Sequence, residues 1–213
     1  MKDPLPIDDS VLEHDEIDAA LFWHTHKKNI LLGVLAFVVV VGGGILWYAS
    51  SRLSAEASVV ALADAQDIPQ FEEVIKKFGG TMPAADALLL VAAAHRTAGK
   101  TDESTAAFQS FLKSFPKHPL AGGALLGVGQ NLDASGKSQE AMTTYQQVME
   151  QYPKSYAAPF AGYAQAEILL RDFRRDEAKV ILDSLVSQFP GSMVARLAGA
   201  QLARLGQSDT TPR

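Results

Sequence analysis

Residues 99–116 read GKTDESTAAFQSFLKSFP, residues 136–153 read GKSQEAMTTYQQVMEQYP, and residues 173–190 read FRRDEAKVILDSLVSQFP. The three stretches align without a gap, and their closing prolines, Pro116, Pro153 and Pro190, lie 37 residues apart each time. A period of this size marks helical hairpins stacked side by side. Gly99 and Gly136 suit a left-handed turn between two helices, and Thr101 or Ser138 is placed to cap the helix that follows. Apolar residues then recur mainly at helical spacing: Phe108, Phe111, Leu112 and Phe115; Tyr145, Val148, Met149 and Tyr152; Leu182, Leu185, Val186 and Phe189. Each helix stops before a proline, which disfavours helix at the residue preceding it.

Outward from these stretches, partner helices are expected over roughly 84–98, 120–135 and 157–172. Ala92, Gly129 and Ala166 fall at one position of the repeat, where a small side chain lets the two helices of a hairpin approach closely. The pattern resembles a tetratricopeptide repeat. The middle segment fits best through Leu125, Gly129, Gly136, Ala141, Tyr145 and Pro153. The first segment has Ser104 in place of the alanine; the third has Phe173 at the turn and Leu182 in place of the aromatic. The resemblance implies an all-α domain over 81–206. Residues 192–205 should form a capping helix that covers the stack with Met193, Leu197, Ala200, Leu202 and Leu205. Residues 207–213 are polar and are expected to be a disordered tail, and 51–80 a juxtamembrane helical linker with a short amphipathic helix around Phe71, Val74, Ile75 and Phe78.

Ahead of the repeats, residues 30–49 read ILLGVLAFVVVVGGGILWYA and carry no charge. Twenty residues at about 1.5 Å each reach roughly 30 Å, the thickness of a bilayer's hydrocarbon core. The whole chain is therefore expected to be one N-terminal transmembrane helix, over 29–50, followed by a tetratricopeptide-repeat-like stack of helical hairpins. The run is longer than the apolar part of a signal peptide, which spans roughly 7–15 residues, and acidic residues precede it, so an uncleaved anchor is expected. Trp47 and Tyr48 suit the membrane interface at its far end. Lys27 and Lys28 flank one side and Arg52 the other, which favours a cytoplasmic N-terminus and a periplasmic C-terminal domain in the inner membrane of a Gram-negative cell.

The tail, residues 1–28, holds seven acidic and three basic residues, with a capping box at Ser10 and Glu13. Its stretch DEIDAALFWHTHKK, residues 15–28, resembles the juxtamembrane stretch of the ancillary SecYEG translocon subunit family. That resemblance implies a translocon-associated protein that works with periplasmic chaperones on emerging substrates. The Phe-Pro and Tyr-Pro closures also resemble those of outer-membrane assembly lipoproteins and cell-division coordinators. A structural tether or coordinator in envelope assembly or cell division is therefore the alternative; the chain has no cysteine to carry a lipid.

Composition narrows the chemistry. The chain has 213 residues, is 47% hydrophobic, and carries a formal charge of -5, which argues against nucleic acid as a partner. From residue 49 onward 16 basic residues nearly balance 17 acidic ones. His24 and His26 would point about 200° apart on a helix and cannot chelate one metal. There is no nucleophile elbow, zinc-protease motif or phosphate-binding glycine loop. An enzyme is not expected, and neither is a cofactor, a metal or a small-molecule substrate. Stacked hairpins instead offer a concave face lined by the first helix of each pair, suited to a protein partner. Candidates on those helices are Leu88, His95, Leu125, Gln130, Asn131, Tyr163, Gln165 and Arg171.

Overall fold

The computed structural model describes residues 19–209 and contains no strand among them. The tail helix expected from Ser10, the side chains of His24 and Trp47, and residues 210–213 lie outside the described residues. The chain divides into two compact units, residues 1–53 and 54–213. In the first unit, helix α1 (Ala19–Asp64) begins and contains a stretch, Thr25–Ile45, long and apolar enough to cross a membrane. Leu32, Phe37 and Val40 in it are exposed. Tyr48 lies just past this stretch; its hydroxyl accepts hydrogen bonds from Arg52 Nε and Nη2 at 3.1 and 2.7 Å, and the guanidinium carbon lies 5.3 Å from the ring centroid. An aromatic ring paired with arginine suits the boundary between hydrocarbon and water.

The second unit is built from three hairpins in series. They pair α3 (Met82–Thr97) with α4 (Thr101–Ser114), α5 (Ala121–Ala134) with α6 (Ser138–Gln151), and α7 (Ala157–Arg171) with α8 (Arg175–Gln188). Helix α2 (Ile68–Lys77) packs on α3 at one end, and α9 (Met193–Asp209) packs on α8 at the other. Helix α9 thus carries helical structure through residues 207–209, which the polar composition alone would leave as tail.

The turns inside the hairpins explain the glycines. Gly99 and Gly136 have φ of 73° and 77°. The next backbone N–H, of Lys100 and Lys137, donates back to His95 and Leu132 at 2.9 Å, the six-to-one bond of a Schellman motif. The third turn has the same bonds but uses Phe173, at φ 61°, with Arg174 N–H donating to Leu169 at 2.8 Å. Thr101 and Ser138 do not cap. The caps of α4, α6 and α8 are Lys100, Lys137 and Arg174, none with a side-chain cap bond. The Schellman geometry places the cap one residue earlier than the hydroxyl, which becomes the first helical residue.

The 37-residue register reaches further than the prolines show. Phe78, Phe115, Tyr152 and Phe189 end α2, α4, α6 and α8 with φ of -120°, -133°, -127° and -123°. Helix α2 therefore ends in the register of the second helices, and it packs on α3. At the other end, α9 continues the first-helix series. Its buried residues Val194, Ala198 and Leu205 stand 37 after Ala157, Ala161 and Ile168, which are also buried. Met193, Leu197 and Ala200 are exposed, which corrects the expected covering face; of the residues expected there, Leu202 and Leu205 do pack on the last core cluster.

Close approach within hairpins rests on the small residues. Ala92 and Ala166 are fully buried, and a Cβ at Gly129 would lie 2.5 Å from the Tyr145 ring. Between the first two hairpins a polar clamp does similar work. Arg96 donates from Nε to Asn131 Oδ1 at 2.8 Å, from Nη1 to Gln130 Oε1 at 2.9 Å and from Nη2 to the Gly127 carbonyl at 2.7 Å. Its guanidinium carbon stands 5.0 Å from the Phe108 ring centroid. Asn131, 2% exposed, donates to Ser104 Oγ at 2.9 Å and Thr105 Oγ1 at 3.1 Å. This explains Ser104 where the repeat favours alanine: its hydroxyl satisfies a buried amide.

Two expected outcomes follow from these contacts, both read by thermal unfolding of the full chain followed by circular dichroism. Asn131→Ala strands Ser104 and removes an acceptor from Arg96, and should cost about 1–3 kcal/mol; an unchanged midpoint would remove the clamp from the account of stability. Phe173→Gly should stabilise by up to about 1 kcal/mol. The left-handed penalty of about 1–2 kcal/mol is relieved, less about 0.5–1 for the greater backbone freedom of glycine. A lower midpoint would mean that the exposed ring holds the turn in place.

Candidate protein-binding surface

The first helices α3, α5, α7 and α9 share one side of the stack, with α5 touching α7 and α7 touching α9. Large apolar side chains remain exposed along this side. Tyr156 and Phe160 lie one turn apart at the start of α7, and Met193 and Leu197 take the same two register positions at the start of α9. Tyr156 is 58% exposed and Met193 60%. A pocket of about 280 Å³ between α3 and α5 is lined by Leu89, Ala93, Leu120, Gly123, Gln130 and Tyr156, among others. Gly123 lies under the Tyr156 hydroxyl, at the far end of that exposed side chain.

Charge on this side is paired within the stack. Arg171, at the end of α7, forms an ion pair with Asp133 of α5. Glu167, one turn before Arg171, accepts a hydrogen bond from the Tyr163 hydroxyl. Partial burial, reinforced by Asp133, holds the Glu167 carboxyl above the usual range despite Arg171 and Tyr163. Burial, with Glu167 nearby, also pushes the Tyr163 phenol up. The surface is an apolar strip beside a polar cluster in which Arg171 pairs with Asp133 and Tyr163 bonds to Glu167. Such a face recognises by shape and desolvation more than by long-range attraction.

The residues expected from sequence separate into three groups. Gln130, Tyr163 and Arg171 belong to this face: Gln130 and Arg171 are exposed, and Tyr163 is half-buried beside Glu167. Leu88 and Leu125 pack in the core, Asn131 is spent in the clamp, and buried Gln165 donates to the Met142 carbonyl at 2.9 Å. His95 lines a groove between α2 and α4 with Lys76 and Glu103, on a different side of α3. These five are displaced for one reason: a first helix has a face turned to its partner helix and one turned to the neighbouring hairpin, and composition does not separate them. The sequence reading passed over Tyr156, Phe160, Met193 and Leu197. The signal was there in the 37-residue spacing of 156 with 193 and of 160 with 197; the first position holds Met82 and Pro119 in the earlier hairpins, and the second holds Asp86 and Gly123.

Among the described residues no group of three or more acidic or histidine side chains is placed to hold a metal ion. No curated protein matches the chain. Residues 86–118, 124–155 and 160–192 match the tetratricopeptide repeat, each match running along one hairpin. The hairpins α3–α4, α5–α6 and α7–α8 are therefore three tetratricopeptide repeats in series with α9 packed on the last, an arrangement that suggests a protein-interaction scaffold.

Proposed function

We propose that the chain is an inner-membrane-anchored scaffold whose first-helix face holds a protein partner in the periplasm. We read it as an ancillary translocon subunit or chaperone adaptor acting on secreted proteins. The observation that carries the binding face is the exposed strip of Tyr156, Phe160, Met193 and Leu197 on a tetratricopeptide-repeat stack. The anchor reading is supported by the Thr25–Ile45 stretch, and the translocon reading by the resemblance of residues 15–28. Apolar anchors carry most of the energy of such interfaces, and the nearly balanced charge leaves little to screen.

The experiment is co-purification of the full chain after mild detergent extraction. Translocon and chaperone subunits are expected in the eluate, and recovery of envelope-assembly or division machinery in their place would support the tether reading instead. Replacing Tyr156 and Phe160 by alanine should weaken partner capture about tenfold or more, while Arg174→Ala with Arg175→Ala changes it little. Capture should persist from low to physiological salt; collapse with modest salt, or dominance of the arginine pair, refutes the apolar face. An alkaline phosphatase fused at Arg213 should be active, and activity confined to a cytoplasmic reporter would reverse the topology.

A further inference from the structure

The strip on the first-helix face has a spacing of its own. Along α7 the residues turned to this face are Tyr156, Phe160, Tyr163 and Glu167, separated by four, three and four residues. One period later α9 holds Met193, Leu197, Ala200 and Arg204 at the same four positions, all of them exposed. Arg204 acts electrostatically on the Tyr163 phenol, so the two rows lie side by side. The pattern stops at α7. The same positions of α5 hold Pro119, Gly123, Leu126 and Gln130, where Leu126 is buried and Gln130 accepts from Arg96.

This spacing and its chemistry define the form of the occupant. Steps of four and three residues, at about 1.5 Å per residue, set side chains about 6.0 and 4.5 Å apart along the axis. Those are the steps on one face of a second helix laid alongside. Same-face side chains of an extended strand come instead at even steps of about 6.6 Å. The rows contain no asparagine or glutamine, and the Tyr163 hydroxyl is already bonded to Glu167. An extended chain would find few partners there for its backbone N–H and C=O groups, whereas a helix brings its own already paired.

Charge adds a second criterion. Both rows close on a charged residue, Glu167 on α7 and Arg204 on α9. Neither is in an ion pair among the described residues: Arg171 pairs with Asp133, and Glu167 is bonded to the neutral Tyr163 hydroxyl. The complement is a helix with a base on the flank over α7 and an acid on the flank over α9, on either side of an apolar seam.

We propose that α7 and α9 together dock an amphipathic helix of a partner protein, about three turns long, with large apolar residues at steps of four and three and opposite charges on its two flanks. The proposal rests on the first-helix face as the binding surface and adds the form of the segment that the face receives.

The test uses the full chain in nanodiscs and dye-labelled model peptides, read by fluorescence anisotropy. The first peptide is an alanine-rich helix with leucines in the four-three-four pattern, lysines along one flank and glutamates along the other. It should bind, and Tyr156→Ala with Phe160→Ala should weaken it about tenfold or more. A peptide of the same composition with alternating leucines, and one broken by two central prolines, should bind at least about tenfold more weakly than the first. Exchanging the peptide's charges for glutamine should cost about threefold, as exposed pairs contribute little; Glu167→Gln with Arg204→Gln should abolish that difference. The proposal is overturned if the first peptide does not bind, or if the alternating or broken peptide binds as tightly. Loss of natural partner capture in the Tyr156→Ala, Phe160→Ala chain would then still support the first-helix face. It is overturned as well if the first peptide binds that double variant undiminished, or if the charge difference survives in the glutamine variant. A dimer of the full chain that depends on Tyr156 and Phe160, measured by light scattering without peptide, would give the face to a second copy and overturn it too.

Discussion

The closing of each hairpin on a small residue is the constraint from which the rest of this domain follows. Gly129 lies against the Tyr145 ring so closely that no Cβ fits between them, and Ala92 and Ala166 do the same service in the clusters that hold Phe108 and Leu182. With that distance set, the second-helix residues Phe111, Val148 and Leu185 reach the space between successive hairpins and are buried there. A left-handed residue at the end of each first helix then reverses the chain with two backbone bonds already made. Repetition every 37 residues keeps these fits in phase, so each hairpin presents to the next the surface that it received from the one before.

The sequence made the turns and the pairing of helices legible because those features depend on local chemistry. A glycine before a polar cap region, a small residue opposite an aromatic one and a proline after the last turn each act within one hairpin. Faces turned toward a neighbouring hairpin were not legible in the same way. Asn131 and Gln165 look like groove residues by polarity, yet one is held by Arg96 and Ser104 and the other by the Met142 carbonyl. Both partners lie more than twenty residues away, on adjacent helices. The covering face of α9 was misplaced for a related reason: Met193 and Leu197 in its first turns are outward although they are large and apolar, and burial there goes to Val194 and Ala198, whose phase with Ala157 and Ala161 decides the matter. Register, and not size, separates the core from the exposed strip here.

Ser104 shows how a departure from the repeat can be structural. It replaces an apolar alanine by a buried hydroxyl, and the structure supplies the donor that makes this tolerable. Departures of this kind come in pairs, each member satisfying the other, and the charge on Arg96 is absorbed by two side-chain oxygens and a carbonyl.

The third repeat departs differently. Phe173 takes a left-handed turn that suits glycine and leaves its ring 90% exposed; Gly162 stands where leucine packs; Val180 adds apolar surface beside it. Leu185 and Met149 close over Gly162, whereas Phe173 and Val180 stay exposed. A chain that gives up a turn preference, a core side chain and surface polarity within 19 residues has a local conflict with its own fold, and such conflicts gather at functional sites when stability is supplied elsewhere. Here the supply is visible on both sides: α6 closes tightly on Gly129, and α9 buries Val194, Ala198 and Leu205 against the last hairpin. Buried contacts thus flank the repeat that departs most from its own pattern, and that repeat carries the Tyr156–Phe160 strip.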